Sequence, residues 1–154
     1  MTTTTNLVAY EHFFTEDALS KVQFYREKMN SQPLVSALRS FVVAGRRTTQ
    51  QPGVYEIREG TQIIYIGGHE APSHICDCLI AHFSGNDGLS IGTYLGGPAK
   101  NRWKDFYVRW LPCDRPREVA MYLLQDYQLK VGSLPRFNLP PTHEFINATA
   151  EIHM

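Results

Sequence analysis

A chain of 154 residues, 43% hydrophobic and 19% charged, is long enough for one domain with a real core and too short for two ordinary ones. Its formal net charge of zero sets aside a polycation built for nucleic acid, and three cysteines without framework spacing (Cys76, Cys78, Cys113) point to a reduced, intracellular, cytoplasmic setting. No apolar run reaches membrane-spanning length, and Met1-Thr2-Thr3-Thr4-Thr5 lacks the regions of a signal peptide, so no membrane partner is expected.

Thr15 to Met29 reads as a helix. Thr15 caps it, Glu16 and Asp17 favour its first turn, and Ala18, Val22, Tyr25 and Met29 recur at helical spacing. A second helix is expected over Pro33 to Ala44, with Leu34, Ala37, Leu38 and Phe41 on one side and Gly45 ending it. Arg46 to Pro52 is a polar connector. Residues 1–51 thus read as a helical N-terminal extension packed on a domain that spans 52–140, with 141–154 as a tail.

Gly53-Val54-Tyr55-Glu56-Ile57-Arg58 and Gln62-Ile63-Ile64-Tyr65-Ile66-Gly67 read as two strands joined by a tight Glu59-Gly60 turn, Gly60 supplying the positive φ of a two-residue loop. Across such a hairpin Tyr55 and Tyr65 reach the same side of the sheet. Pro72 and Ser73 then open a helix that runs to about Phe83, with Ile75, Leu79 and Phe83 as its apolar stripe. Ser84-Gly85-Asn86-Asp87-Gly88 breaks it. Ser90 to Leu95 fits a short helical turn or a loop. Phe106 to Leu111 alternates like a strand closed by Pro112. Asp114 caps a last helix with Pro116 in its first turn, which continues to about Lys130 before Gly132. The fold class is therefore α+β, a small three-stranded antiparallel sheet flanked by helices.

The pairing of Gly53-Val54-Tyr55 with Tyr65-Ile66-Gly67, followed by His82 and by the tail Gly132-Ser133-Leu134-Pro135-Arg136-Phe137-Asn138, resembles the GIY-YIG nuclease family. The resemblance covers roughly residues 52 to 140. It implies a metal-dependent endonuclease that hydrolyses phosphodiester bonds of nucleic acid, with DNA the expected partner and Mg²⁺ or Mn²⁺ the cofactor. By that alignment the catalytic positions are Tyr55, Tyr65, Cys78, His82, Ala120 and Asn138. Family members carry an arginine that contacts the phosphate where this chain has Cys78, and a metal-binding glutamate where it has Ala120. A methyl group is no ligand for Mg²⁺, which takes oxygen ligands, and a thiol does not replace a guanidinium. Glu118, the nearest carboxylate, points about 160° around the helix from Ala120. The resemblance thus implies a poor nuclease in this sequence, with no metal held at position 120. Inactivating substitutions in an active enzyme are one explanation; a natural catalytically inactive module that binds nucleic acid or a protein partner is the other.

Charge distribution adds a candidate binding face. Lys100, Arg102, Lys104, Arg109 and Arg117 belong to a stretch richer in bases than acids, whereas Arg58 is the only Lys or Arg among five acids from Glu56 to Asp87. These residues are expected to flank the tyrosine cleft and meet phosphate backbones, Trp103, Tyr107 and Trp110 being either core residues or platforms for unpaired bases. His74, Cys78 and His82 recur at helical spacing, but three ligands along a straight helix span about 12 Å, too far for one tetrahedral zinc.

Overall fold

The computed structural model describes residues 16–37 and 50–138. The expected cap at Thr15, most of the stretch from Pro33 to Ala44, the connector up to Thr49 and the tail 141–154 lie outside them. Helix α1 (Glu16–Asn30) carries Glu16 and Asp17 in its first turn and buries Ala18, Val22, Arg26 and Met29. That spacing puts one stripe against the sheet.

The sheet has four antiparallel strands, not three. Their order is β1 (Val35–Ser36), β4 (Phe106–Pro112), β2 (Gly53–Glu59), β3 (Gln62–His69). The additional strand replaces the start of the expected second helix: Val35 pairs with Val108 and Ser36 with Tyr107. The outer edge of β4 offers unpaired backbone groups, and pairing with them outweighs the local helical periodicity of Leu34, Ala37 and Leu38.

The hairpin turns one residue later than expected. Gly60 and Thr61 form the loop between Glu59 and Gln62, and a bulge lies between Ile57 and Arg58. Gly60 has φ 62° and donates its N–H to Asp105 O at 2.8 Å, which ties the loop to the entry of β4.

Helices α2 (Ile75–Ser84), α3 (Ser90–Leu95) and α4 (Pro116–Val131) complete the fold, with a 3₁₀ run over Lys100–Asp105. The stretch over Ser90 to Leu95, compatible with either form, is a helix. Helix α4 starts without the expected Asp114 cap: Arg115 occupies the N-cap and gives no side-chain hydrogen bond. Pro116, whose fixed φ suits a first helical turn, marks the start instead.

Alternation along β2 sorts the core into two clusters. Tyr55 and Ile57 join Tyr65, Leu79, Phe83, Ile91 and Val108 on the face covered by α2 and α3. Val54 joins Met29, Ile66, Leu111, Ala120, Leu123 and Leu124 on the face covered by α1 and α4. Between α1 and the sheet, the fully buried Glu56 meets Arg26 (2.6 Å), Arg109 (2.8 Å) and Arg58 (3.2 Å). Arg109 also donates to Asn30 O and Asn30 Oδ1 at 3.3 and 3.0 Å. Among the described residues no helix is long and apolar enough to cross a membrane.

Candidate functional site

Tyr55 and Tyr65 share a sheet face because Tyr55 pairs with Gly67 and Ile57 with Tyr65. Their ring centroids are 6.3 Å apart. Gly67 is required by this arrangement: a Cβ there would lie 2.5 Å from the Tyr55 hydroxyl oxygen. The close approach accounts for the glycine of Tyr65-Ile66-Gly67 in steric terms.

Helix α2 brings His82 to the same spot. The Tyr55 hydroxyl lies 2.6 Å from His82 Nε2, and His82 Nδ1 lies 2.5 Å from Asp87 Oδ2. Asp87 Oδ1 accepts the Leu89 N–H at 2.9 Å. Tyr65 packs edge-on to the His82 ring at 5.0 Å. Cys78, one turn before His82 and partly exposed, packs against the same cluster. Tyr55, Tyr65, His82 and Cys78 therefore form one cluster, with Tyr55 and His82 at its floor (0% and 2% exposed).

Asp87 belongs to this cluster, although its sequence context reads only as a helix-breaking run. A signal is present all the same. Gly85 caps α2 in the left-handed region, with φ 79°, and reverses the chain so that a residue shortly after it returns to the last turn. Gly92 leaves room for the Asp87 carboxylate, which a Cβ at that position would overlap. His69 is the second residue that the motif does not include. Period-two alternation puts it on the Tyr65 and Gly67 face. It feels both Arg117 and His82 electrostatically, at the end of the sheet where α4 begins.

The other expected site residues are placed elsewhere. Ala120 is 7% exposed and packs in the opposite core cluster; a Cβ added at Gly68 would be 3.3 Å from its methyl. It does not open into the tyrosine cluster. Asn138 lies along the edge strand: its Oδ1 accepts from Ile66 N at 2.9 Å and its Nδ2 donates to Ile66 O at 2.8 Å. Phe137 N adds a bond to Ile64 O at 3.0 Å. The tail thus satisfies the free edge of β3, as an added strand would.

The basic residues do not gather on one face. Arg109 is buried in the Glu56 network, which overturns its assignment to phosphate binding. Lys100, Arg102 and Lys104 lie in the 3₁₀ run beside the hairpin loop, and Arg102 is paired with Glu59 at 3.1 Å and Tyr94 Oη at 2.8 Å. Glu59 is four residues along β2 from Tyr55, about 13 Å in an extended strand. Arg117 stands at the other end. Trp103 donates Nε1–H to Leu95 O at 2.8 Å and packs against Phe83, which is a core role. Tyr107 and Trp110 are half-buried strand residues.

No cluster of three or more His, Cys, Asp or Glu side chains among the described residues is placed to hold a metal. The residue present at position 120 does not fit the divalent ion that the motif implies, because Ala120 offers a methyl, and Cys78 offers no guanidinium for the phosphate. Cys76, Cys78 and Cys113 are free thiols.

Burial dominates the acid–base character of the cluster. It pushes Tyr65 up to about 12 and Tyr55 well above the usual 10, so both stay phenols at neutral pH. Burial lowers His82 below the usual 6.5, against the opposing pull of Asp87, and lowers His69 with help from Arg117. The unfolded chain then binds more protons than the folded one below the unfolded value of 6.5. Stability from these histidines is complete above that value and is lost as pH falls through their lower folded values. Urea denaturation at a series of pH values from about 7.5 to 5 should show falling stability, and His69→Asn with His82→Asn should flatten the curve. An equally steep curve in that double variant would remove the histidines as its cause.

No family model, curated protein or solved structure matches this chain.

Proposed function

We propose that this chain is a GIY-YIG-type endonuclease scaffold that binds nucleic acid, with DNA the expected partner, and that its metal-dependent hydrolysis is disabled at Cys78 and Ala120. The observation that carries the reading is the Tyr55–His82 contact at 2.6 Å beneath Tyr65. Two hairpin tyrosines and a histidine from the next helix converge, as the resemblance requires. His69 lies beside this cluster at the end of the sheet where α4 begins, and Arg117 supplies a cation there. The free thiols support an intracellular setting.

A second reading is favoured by Ala120. Its methyl fits the core close to Gly68, as a position adapted to alanine would. In that case the fold serves as a naturally inactive module that binds nucleic acid or a protein partner.

A nucleic-acid partner would bring phosphate to Arg117, at the His69 end of the sheet, and to Lys104, an exposed base at the hairpin-loop end. Reversing their charge together, Arg117→Glu with Lys104→Glu, should weaken DNA binding. The slope of log K against log salt should fall by about 0.9 for each phosphate of the duplex that is no longer neutralised. Fluorescence anisotropy across a salt series measures both quantities. Unchanged affinity with an unchanged slope would reject the nucleic-acid partner.

A further inference from the structure

We infer that Asp87 is a positioning residue of the tyrosine site: it fixes the His82 tautomer, and through it the direction in which the Tyr55 hydroxyl points its proton. The catalytic meaning of Asp87 rests on the endonuclease-scaffold reading, whereas its structural role stands on the hydrogen bonds alone.

Donor and acceptor inventory fixes the direction of each bond. A carboxylate only accepts, so the 2.5 Å contact between Asp87 Oδ2 and His82 Nδ1 requires the proton on Nδ1. A neutral imidazole with Nδ1–H has Nε2 as an acceptor. Tyr55 must then donate its hydroxyl proton into Nε2 across 2.6 Å. With that proton turned inward, the Tyr55 oxygen keeps only its lone pairs for any other neighbour. The chain runs in one direction, from phenol to imidazole to carboxylate.

Asp87 is itself held for this task. Its second oxygen accepts from Leu89 N at 2.9 Å, Gly92 clears space for the carboxylate, and its side chain is 6% exposed. Nothing comparable would lock a solvent-facing aspartate into one rotamer. The groups facing His82 are Tyr55 from β2, Tyr65 from β3 and Asp87, with Cys78 one turn earlier in its own helix and His69 near enough to be felt. Asp87 is the one carboxylate among them.

The chemical consequence is a base that needs no free phenolate. A donor that reaches the buried Tyr55 Oη can hand over its proton as the phenol releases its own to His82 Nε2. One O–H bond forms on the phenol as another breaks, and the positive charge ends on an imidazolium beside Asp87. Without Asp87 the imidazole is free to adopt the other tautomer, whose Nε2–H would point at the phenol and block the transfer.

Nitrogen-15 NMR on the intact chain tests the assignment directly. His82 should show the Nδ1–H tautomer in the parent. In Asp87→Ala it should show the other tautomer or a mixture, with its titration moved to lower pH because the carboxylate no longer supports the charged form. Asp87→Asn, which keeps the shape, serves if the alanine variant fails to fold. A parent carrying the proton on Nε2, or a variant with tautomer and titration both unchanged, overturns the inference. The catalytic meaning is read separately in the chain carrying Cys78→Arg and Ala120→Glu. There Asp87→Asn should lower kcat on the order of 10²-fold with little change in KM. If the NMR result holds and that chain binds DNA without cutting it, the endonuclease reading fails and the positioning role of Asp87 stands.

Discussion

Replacing Glu56 with alanine should lower the unfolding free energy by about 3–5 kcal/mol, the range for breaking a buried ion pair from one side. Glu56 is fully buried, and three guanidinium groups converge on it from α1, β2 and β4. Without the carboxylate, Arg26 and Arg109 remain inside the protein with like charges and no counter-charge. The Arg109 contact is the better bond: its Nε donates at 2.8 Å while both Nη groups are engaged by Asn30. The Arg26 contact is close at 2.6 Å but poorly aligned, and Arg26 Nε has no hydrogen-bond partner among the described residues, so its contribution is Coulombic. Burial alone would raise the Glu56 pKa, and the two arginines overcome it and hold it below the usual 4.5. The stabilisation is therefore present above the unfolded value and is lost as pH falls through the lower folded one. Urea denaturation of Glu56→Ala and Glu56→Gln at neutral pH measures the effect. A loss below about 1 kcal/mol would mean that solvent reaches these arginines and that the network is not buried. The double variant Glu56→Met with Arg109→Met should recover part of the loss, because both charges leave together.

What is legible in the sequence depends on the range of the interactions. Helix α1, the hairpin and α4 are readable because their apolar spacing, the Gly60 turn and Pro116 are local signals. The strand at Val35 and Ser36 is not, because its partner is the edge of β4, far along the chain at Tyr107 and Val108, and the local pattern there is helical. The convergence of Tyr55, Tyr65 and His82 is readable from strand alternation and helix spacing. Asp87 is hidden by its place in a Gly-rich run, where the composition reads as a breaker and the chain reversal at Gly85 decides the geometry. Arg109 shows the opposite failure: a base in a basic stretch reads as solvent-exposed, yet strand alternation puts it opposite Glu56 on the buried face. Only a period-two reading of β4 against β2 pairs them.

The largest expected gain of function comes from Cys78→Arg combined with Ala120→Glu. The parent should bind DNA and scarcely cut it at any Mg²⁺ concentration, since neither position offers the chemistry that phosphodiester hydrolysis needs. Cys78 is partly exposed and packs against the tyrosine cluster, so the stem of an arginine there can pack where the thiol does while its guanidinium reaches toward solvent. Ala120 is the harder site. It is 7% exposed, Gly68 passes directly over it, and Val54, Ile66 and Leu123 share its cluster. A lone carboxylate there should cost about 2–4 kcal/mol of stability in Ala120→Glu without metal. If position 120 is a metal position, Mg²⁺ should return part of that loss by binding the folded state, raising Tm with concentration in the variant and not in the parent. The double variant should then cleave DNA in a metal-dependent way, at least about 10²-fold above the parent, and Tyr65→Phe in that background should impair it. Thermal unfolding across an Mg²⁺ series, with a plasmid-nicking assay on the same samples, reads both effects. A double variant that folds and binds DNA, yet gains neither Mg²⁺-dependent stability nor cleavage, would leave the scaffold as a binding module whose alanine is native to its core.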